Sequence, residues 1–369
     1  MKLLIINPGS TSTKVSLYEE EELLFEESVF HDAPELLRFP NVNDQVPFRL
    51  QVMEEVLAKH GYGMADVDVF VGRGGSACPC EAGVMIIDER LYRDTRDAVG
   101  GSEHPAKLGV MMAYELGTRF ARPMYTLNPT NVDELIDEAR ITGIAGLYRN
   151  AQSHVLNQKA VAAHHSVLMG KKYEDCDYIV CHIDGGITVS AHRHGRMIDG
   201  NVGSGGDGAY TPTRIGSVPV LKLLDYLETH SLDEVRLMCS RAGGFVQHFG
   251  TSNADTIHAM VEAGDPKACL VWQGMIYQIA KQIGAMAAVL KGQAEAILLT
   301  GGLVRFDDIV EGIRSSCEWI APVYVYPGEM EQEALASEVL KVLHGEMTAR
   351  RYTGRPVFAG FPFDEKPDN

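Results

Sequence analysis

Residues 3–18 read LLIINPGSTSTKVSLY, and the order of residue types in this stretch decides the class of fold. An apolar run, residues 3–7, leads into a turn of glycine, serine and threonine, and a second strand-like run follows at residues 15–18. A third apolar stretch at residues 23–25 completes a pattern of strand, turn, strand and strand. The sequence therefore predicts that the chain begins with three consecutive β-strands.

The same pattern occurs again near the middle of the chain. Residues 178–183 read YIVCHI, a glycine turn follows at 184–186, and two more strand-like runs lie at 187–191 and 196–198. A repeat separated by about half the chain is typical of a duplicated domain. We therefore expect an α/β protein built from two copies of one domain, with a ligand cleft between their turns.

Length and charge limit the classes of function. With 369 residues and 45% hydrophobic content, the chain exceeds what one hydrophobic core usually organises, which again favours two domains. Lys and Arg total 33 against 50 Asp and Glu, for a net charge of −17. Such a field repels nucleic acid and anionic membranes, so we expect neither as a partner. An anionic substrate has to be attracted by locally concentrated arginine, histidine, backbone N–H groups or a metal ion.

Cysteine usage and the N-terminal sequence favour a cytoplasmic location. The seven cysteines form no CxxC pair and no zinc-ligand spacing, and Met1 leads directly into an apolar strand without a secretory signal pattern. We interpret the pair formed by Cys78 and Cys80 as a loop coincidence, with a redox role as the alternative. A reduced, cytoplasmic protein fits these features best.

Three glycine turns are candidates for phosphate binding. The first spans residues 7–14 and ends in a lysine, the second spans 182–188, and the third spans 299–303 after a buried strand. Glycine lets backbone N–H groups approach a phosphate, hydroxyls donate to its oxygens, and lysine adds a positive charge. Each turn alone is also compatible with an ordinary hairpin. Three of them in a duplicated α/β frame favour phosphate or nucleotide binding.

A series of motifs then identifies a family resemblance. The runs LLIINPGSTSTKVSLYE, GRGG, GSEHPAKLG, NVDELIDEARITG, SHVLNQKAVA, AILLTGGL and IAPVYVYPGEMEQEALA occur in this order over nearly the whole chain. With them the sequence resembles the butyrate kinases of the acetate kinase family, in the superfamily of sugar kinases, hsp70 and actin. The resemblance implies two ribonuclease-H-like (actin-like ATPase) domains with a nucleotide cleft between them. We expect residues 1–155, completed by the C-terminal helix in 329–369, to form one domain and 156–328 the other.

The resemblance also implies an activity. Relatives reversibly phosphorylate butyrate, or a related short-chain or branched-chain carboxylic acid, to its acyl phosphate, with ATP and Mg²⁺. The expected small-molecule partners are therefore the acid and ATP or ADP. The family further implies a homo-oligomer that works beside a phosphate acyltransferase.

Individual roles follow from the motifs. The resemblance assigns Arg73 to the carboxylate of the acid, where a guanidinium fork suits a planar anion. It assigns His104 and His154 to the neighbourhood of the transferred phosphoryl group, and Arg214 to stabilisation of the transition state. The residues that it assigns to ATP are Asn7, Ser10, Ser12, Lys14, His182, Gly185, Gly186, Gly301 and Gly302. Without the family, such histidines are more often structural and such arginines more often belong to surface ion pairs.

Two positions depart from the family pattern. Asn128 stands where relatives carry a catalytic aspartate, and an amide is a weaker Mg²⁺ ligand than a carboxylate. Asp184 replaces a glycine of the second turn, where a carboxylate either repels phosphate or holds Mg²⁺. The family places a glutamate at the start of the last helix, where this chain has Glu329, Glu331 and Glu333, and of these we expect Glu333 to be a second metal ligand. The two departures also motivate an alternative function, a catalytically weakened nucleotide-binding paralogue with a sensing or assembly role.

Two further stretches are interpreted from residue type alone. Residues 192–194 read HRH, which we interpret as an exposed turn rather than a metal site. Residues 350–369 contain three prolines, and we expect an extended or disordered tail.

Overall fold

The computed structural model describes residues 1–10, 12–36, 38–101 and 105–364. The chain divides into two compact units, of which unit 1 comprises Met1–Asp133 and Met330–Asn369, and unit 2 comprises Glu134–Glu329. The boundary expected from the sequence, after residue 155, therefore lies inside unit 2. The reason is that the segment after residue 133 is tied to a strand of unit 2, since the Ile136 N–H donates to the Ile198 carbonyl at 3.0 Å.

The described residues form twelve strands and thirteen helices. The strands are β1 (Lys2–Pro8), β2 (Ser12–Glu19), β3 (Glu22–Phe30), β4 (Val69–Gly72), β5 (Val84–Ile86), β6 (Met124–Leu127), β7 (Asp177–Ile183), β8 (Ile187–Arg193), β9 (Arg196–Gly200), β10 (Ala296–Gly301), β11 (Val323–Pro327) and β12 (Arg350–Arg351). The helices are α1 (Ala33–Leu36), α2 (Val46–Lys59), α3 (Glu89–Arg96), α4 (Lys107–Phe120), α5 (Asp137–Arg140), α6 (Val155–Leu168), α7 (Val220–Leu227), α8 (Leu232–Leu237), α9 (Phe245–Phe249), α10 (Ala254–Glu262), α11 (Pro266–Val289), α12 (Asp307–Cys317) and α13 (Glu331–Leu343).

Unit 1 contains a seven-stranded mixed sheet in the order β12-β5-β6-β4-β1-β2-β3. Strands β1, β2 and β3 form an antiparallel meander, β4 pairs parallel with β1, and β6 pairs parallel with β4. The apolar run of β1 is fully buried from Leu3 to Ile6, because helices α4 and α13 both pack against this strand. The polar turn after β1 is thereby held at the end of a rigid central strand.

Unit 2 contains a five-stranded sheet in the order β11-β10-β7-β8-β9. Strands β7, β8 and β9 form an antiparallel meander, β10 pairs parallel with β7, and β11 pairs parallel with β10. This is the order of β6-β4-β1-β2-β3 in unit 1, so the two units share one five-stranded pattern. The predicted fold class, a duplicated actin-like α/β architecture, is confirmed.

Helix α11 supplies much of the core of unit 2. The Asp265 carboxylate accepts a 2.8 Å hydrogen bond from the Ala268 N–H, and Pro266 opens the helix, a combination typical of helix starts. Residues Val271, Trp272, Met275, Ile276, Ile279, Ile283 and Met286 are buried at helical spacing. This apolar face packs against β8, α10 and α12, which fixes the strand that follows the second glycine turn.

The segment after α13 is partly regular. Strand β12 pairs parallel with β5 at the edge of the unit 1 sheet, with Arg350 opposite Met85. The segment expected to be extended or disordered is thus extended at Arg350–Arg351, and its pairing with β5 was not expected, because strand pairing over such a sequence separation leaves no local signal. Within the described ranges, no helix combines the length and apolarity needed to cross a membrane.

Candidate functional site

The first glycine turn, at the end of β1, is held by a buried arginine. Arg49 lies on α2, is completely buried, and donates hydrogen bonds to the carbonyls of Gly9 (3.0 Å) and Ser12 (2.7 Å). It also donates to the Thr13 hydroxyl at 2.9 Å and to the Gln45 side chain. Burial lowers the pKa of Arg49 to about 10, so the guanidinium remains charged at neutral pH. This role could not be predicted from the sequence, because two of the partners of Arg49 are backbone carbonyls of a distant turn.

A buried cluster joins three distant parts of unit 1. The Asn7 side-chain amide donates to Glu331 Oε2 at 2.8 Å, and Asn7 Oδ1 accepts from Arg73 Nη1 at 3.3 Å. Arg73 Nη2 forms an ion pair with Glu331 Oε1 at 3.0 Å, where the glutamate side chain is 1% exposed. Arg73 Nε is also buried and has no hydrogen-bond partner among the described residues. A buried donor without a partner can donate a hydrogen bond to an anion, and the role predicted for Arg73 stays a prediction.

The other predicted residues of the first turn are more exposed. Ser10 is exposed and Ser12 is partly buried. Lys14 lies on β2 with its ammonium group 3.9 Å from Glu26 Oε1, in a partly exposed ion pair. Such pairs contribute little to stability, so Lys14 remains able to exchange its partner for a phosphate.

Asn128 has a structural role in unit 1. Its side-chain oxygen accepts a 2.7 Å hydrogen bond from the Gly83 N–H, and its own N–H donates to the Gly83 carbonyl at 3.3 Å. Its φ angle of 40° lies in the left-handed region, which asparagine tolerates better than most residues. These contacts fix Asn128 at the end of β6. His104, the predicted catalytic histidine of this unit, lies outside the described residues.

Asp184 links the second and third glycine turns in unit 2. One carboxylate oxygen accepts a 2.7 Å hydrogen bond from the Gly185 N–H, and the other accepts a 2.8 Å bond from the Gly302 N–H. Gly301 lies beside this contact at the end of β10, where its N–H donates to the Gly328 carbonyl. The two predicted phosphate-binding turns therefore meet, and a carboxylate holds amides of both.

Arg214 packs directly onto the second glycine turn. A Cβ atom at position 186 would collide with its guanidinium, so Gly186 is required for this approach. The hydroxyls of Thr211 and Thr213 donate to the Gly185 carbonyl at 2.7 and 2.8 Å, which fastens the arginine segment to the turn. Burial lowers the pKa of Arg214, and its Nε is a buried donor without a partner among the described residues. An anion beside Arg214 would satisfy this donor.

Two predicted histidines stack on each other next to Asp184. The rings of His154 and His182 lie 3.9 Å apart and nearly parallel. His182 Nδ1 contacts the Asn157 amide at 2.9 Å, and Asn157 in turn donates to the Thr300 hydroxyl. Asn157 belongs to the run LNQKAVA at the start of α6. The asparagine of this run therefore orients His182.

A chain of hydrogen bonds sets the tautomer of His154. Burial raises the pKa of Tyr173 and holds the pKa of His192 well below its usual value, so the phenol is protonated and the imidazole is neutral. The Tyr173 hydroxyl then donates to His192 Nδ1, and the Nε2–H of His192 donates to the Gln158 side-chain oxygen. The Gln158 NH2 group donates to the Thr188 hydroxyl, and this hydroxyl donates to His154 Nδ1. This order of donors is compatible with a neutral His154 that carries its proton on Nε2. The expectation of an exposed turn is wrong for His192, which is fully buried on β8.

Three residues of unit 2 form a cluster suited to a divalent cation. His182, Asp184 and Glu329 each offer a ligand atom, and these atoms lie within 4.8 Å of one another. His182 Nε2 is 3.9 Å from Glu329 Oε1. Two carboxylates and an imidazole suit Mn²⁺, Fe²⁺ or Zn²⁺ at least as well as Mg²⁺, which prefers oxygen ligands. Glu333, the ligand expected from the sequence, is exposed on α13, whereas Glu329 and Glu331 make the contacts described above.

Comparison with known structures identifies the class of fold. The structure is similar to an acetate kinase from Porphyromonas gingivalis, with a TM-score of 0.74 and 18% identity over 93% of this chain and 99% of that chain. It is also similar to a propionate kinase from Francisella tularensis subsp. tularensis (0.72, 14%, 91% and 98%) and to an acetate kinase from Entamoeba histolytica (0.71, 16%, 91% and 98%). The chain thus has the fold of these kinases. Residues 147–311, within unit 2, match the model of the acetokinase family, which confirms the resemblance to that family over this segment.

Proposed function

We propose that the chain is an ATP-dependent kinase of short-chain carboxylic acids that makes and consumes acyl phosphates, with butyrate or a close analogue as the preferred acid. The main support for this proposal is the arrangement of four side chains in unit 2. Two glycine turns meet at Asp184, Arg214 lies against one of them, and the stacked His154 and His182 lie alongside. The acetokinase match covers this same segment.

The acid is proposed to bind at Arg73. A carboxylate is planar and anionic, and a guanidinium recognises it through parallel hydrogen bonds. Arg73 is held in place by Asn7 and Glu331, and its Nε is the buried donor that lacks a partner among the described residues. Glu331 therefore orients the arginine and limits the net positive charge that the acid meets.

Arg214 and His154 are proposed to act on the transferred phosphoryl group. Phosphoryl transfer passes through a loose transition state whose charge is spread over the equatorial oxygens, so positioning and charge neutralisation carry most of the catalysis. The Arg214 guanidinium neutralises this charge from a largely buried position, and the Nε2–H of His154 donates to an oxygen of the group. Both side chains are held by neighbours, which reduces the reorganisation needed for reaction.

A divalent cation completes the proposal, and the residues of unit 2 fit one. His182, Asp184 and Glu329 would hold it, since their ligand atoms form a compact set of two carboxylates and an imidazole. When bound, the cation neutralises phosphate charge and orients the phosphate chain. Asn157 has a separate task, because its side-chain amide contacts His182 Nδ1 and orients the ring.

The preference for butyrate rests on sequence motifs. The runs INPGSTSTK and LNQKAVA resemble the butyrate kinases, and the wider acetokinase match does not choose among acids. An apolar pocket discriminates each methylene by only about 1–3 kcal/mol, so we expect overlapping activity on neighbouring acids.

The proposal is tested by trapping the acyl phosphate as a hydroxamate. Purified protein, ATP and Mg²⁺ or Mn²⁺ are incubated with acetate, propionate, butyrate and isobutyrate, and we expect the highest kcat/KM with a four-carbon acid. Arg214→Lys keeps the charge but loses the fork, and we expect kcat to fall by about 10²-fold or more. The matched control is Arg314→Lys on α12, where the side chain is partly exposed and paired with Glu311.

Two outcomes would reject the proposal in different ways. Tight binding of ATP without turnover on any acid would favour the alternative, a nucleotide-binding paralogue without catalysis. Equal loss of activity in Arg214→Lys and Arg314→Lys would remove Arg214 from the catalytic machinery.

A further inference from the structure

The C-terminal segment is anchored firmly to unit 1. Tyr352 follows β12 and is buried, and its hydroxyl accepts from the Cys78 N–H at 3.0 Å and donates to Asp94 at 2.9 Å. Further on, the Val357 N–H donates to the Pro79 carbonyl at 3.1 Å. Residues 350–357 therefore have a defined position against the sheet edge.

A cavity of about 500 Å³ lies between this segment and the start of α3. Four arginines, Arg90, Arg350, Arg351 and Arg355, line it, and we call it the arginine pocket. Glu81 is the one acidic residue in its lining, and Met85, Pro356 and Val357 add apolar surface. The volume lies in the range typical of small-molecule sites.

The positive charge of the arginine pocket is largely uncompensated. Arg350 forms an ion pair with Glu81. Arg90, Arg351 and Arg355 make no ion pair or side-chain hydrogen bond with any residue that the structure describes. The three guanidiniums are exposed, so solvent weakens their mutual repulsion, and an anion bound between them would gain from their combined charge. Such a concentration is unusual in a chain of net charge −17.

The backbone is shaped to accept these arginines. Gly354 has a φ angle of 68°, in the left-handed region, and a Cβ atom there would collide with the Arg90 guanidinium. The turn around it is fixed because the Thr353 hydroxyl accepts from the Arg355 N–H at 3.2 Å. Arg90 from α3 and the arginines of the C-terminal segment are thus brought to one cavity by a specific turn.

We propose that the arginine pocket binds a small anion that carries two or more phosphate groups. Guanidinium forks form paired, charge-assisted hydrogen bonds to phosphate oxygens, and three forks around one cavity suit more than one phosphate. The site is distinct from the glycine turns of unit 2 and does not depend on the proposed kinase activity.

Calorimetry with pyrophosphate on the full chain tests this assignment. We expect saturable binding at roughly 0.15 M salt, and a loss of affinity of about tenfold or more in the double variant Arg351→Ala, Arg355→Ala. The control is Arg241→Ala, Arg314→Ala, which removes the same charge from exposed or partly exposed positions in unit 2. This control variant should bind pyrophosphate as the parent chain does.

Two further measurements guard the interpretation. The double variant Arg351→Lys, Arg355→Lys keeps both positive charges and a similar side-chain length, but it lacks the paired N–H groups of guanidinium. It should therefore also bind pyrophosphate more weakly than the parent chain. ADP also carries two phosphate groups, so the parent chain should bind two equivalents of it, and loss of only one equivalent in the Arg351/Arg355 variants separates the arginine pocket from the proposed catalytic site. Equal pyrophosphate affinity in the Arg351/Arg355 and Arg241/Arg314 variants would overturn the proposal. A parent chain that binds citrate but not pyrophosphate would also overturn it.

Discussion

The carboxylate of Asp184 accepts a 2.8 Å hydrogen bond from the N–H of Gly302, which lies 118 residues further along the chain. The other oxygen accepts from Gly185, so one side chain holds amides from two turns that the sequence predicted to bind phosphate. In the described state, the carboxylate takes the place that phosphate oxygens are expected to occupy. A ligand with phosphate groups must therefore displace Asp184 or share a cation with it.

Replacing Asp184 by the glycine of the family pattern should strengthen nucleotide binding in the absence of metal. Asp184→Gly frees the amides of Gly185 and Gly302 and removes a negative charge that repels phosphate. We expect ADP affinity in EDTA to rise about tenfold, measured by calorimetry. Asp184→Asn keeps an acceptor oxygen without the charge and should give an intermediate value. Weaker metal-free binding in the glycine variant would contradict this account.

Metal affinity should change in the opposite direction. We expect one Mn²⁺ per chain to bind at His182, Asp184 and Glu329, and we expect Asp184→Asn and Glu329→Gln each to weaken it about tenfold or more. Calorimetric titration of the metal alone measures this without any activity assay. Glu333→Gln is the matched control on α13. Equal weakening in the Glu333 and Glu329 variants would place the cation elsewhere.

The buried Arg49 should be important for stability. Arg49→Met preserves bulk but leaves the carbonyls of Gly9 and Ser12 without their donor, and we expect a loss of about 3 kcal/mol of unfolding free energy. Hydrogen exchange should quicken first in the turn between β1 and β2. Arg119→Met, at an exposed ion pair on α4, should change stability by less than about 0.5 kcal/mol. Similar losses in both variants would argue against a specific role for Arg49.

The Thr188 hydroxyl should control the tautomer of His154. Thr188→Val removes the donor to Nδ1, so the proton of neutral His154 is no longer restricted to Nε2. If the proposed activity holds, we expect kcat to fall about tenfold or more with little change in the KM for ATP. Nitrogen chemical shifts of the His154 ring report the tautomer independently of turnover. Thr188→Ser keeps the hydroxyl and should restore both properties, and an unchanged ring spectrum in the valine variant would refute the assignment.

Stability should decrease on mild acidification because of His31. Burial, with a smaller contribution from Arg49, lowers the pKa of His31 to about 4, while the unfolded chain has a value of about 6.5. The unfolded state therefore binds more protons between these values, and the stability from His31 is complete above about pH 6.5 and lost as the pH falls toward 4.

His31→Gln tests this linkage, because glutamine can keep the contact to Thr13 without titrating. The difference in Tm between the variant and the parent should increase by a few degrees in favour of the variant as the pH is lowered from about 7 to about 5. A pH-independent difference in Tm would exclude His31 as the source.

Many elements could be predicted because their signals are local. Apolar residues at helical spacing in 266–290 and 107–121 predict helices, and the structure has these helices at Pro266–Val289 and Lys107–Phe120. The repeated strand pattern predicted the duplicated fold, since each meander needs only neighbouring residues and short turns. The glycine turns were predicted for the same reason.

The site itself was only partly predictable. Three glutamates at positions 329, 331 and 333 look equivalent in the sequence, and the exact start of α13 decides which one faces Asn7 and Arg73. Helix ends are the least certain part of any assignment from sequence. The roles of Arg49 and Thr188 could not be predicted, because their hydrogen-bond partners are distant along the chain or are backbone atoms. Backbone atoms are present in every residue and leave no pattern in the sequence.

The sequence by itself determined the duplicated α/β frame, the three glycine turns and the family resemblance, because periodicity and turn chemistry act over a few residues. Only the tertiary structure decided that Asp184 closes two of those turns, that Glu331 rather than Glu333 meets Arg73, and that four arginines share one cavity. Each of these depends on strands and helices packing across long sequence separations. Pairing over such distances is set by burial of the whole core and not by any local pattern.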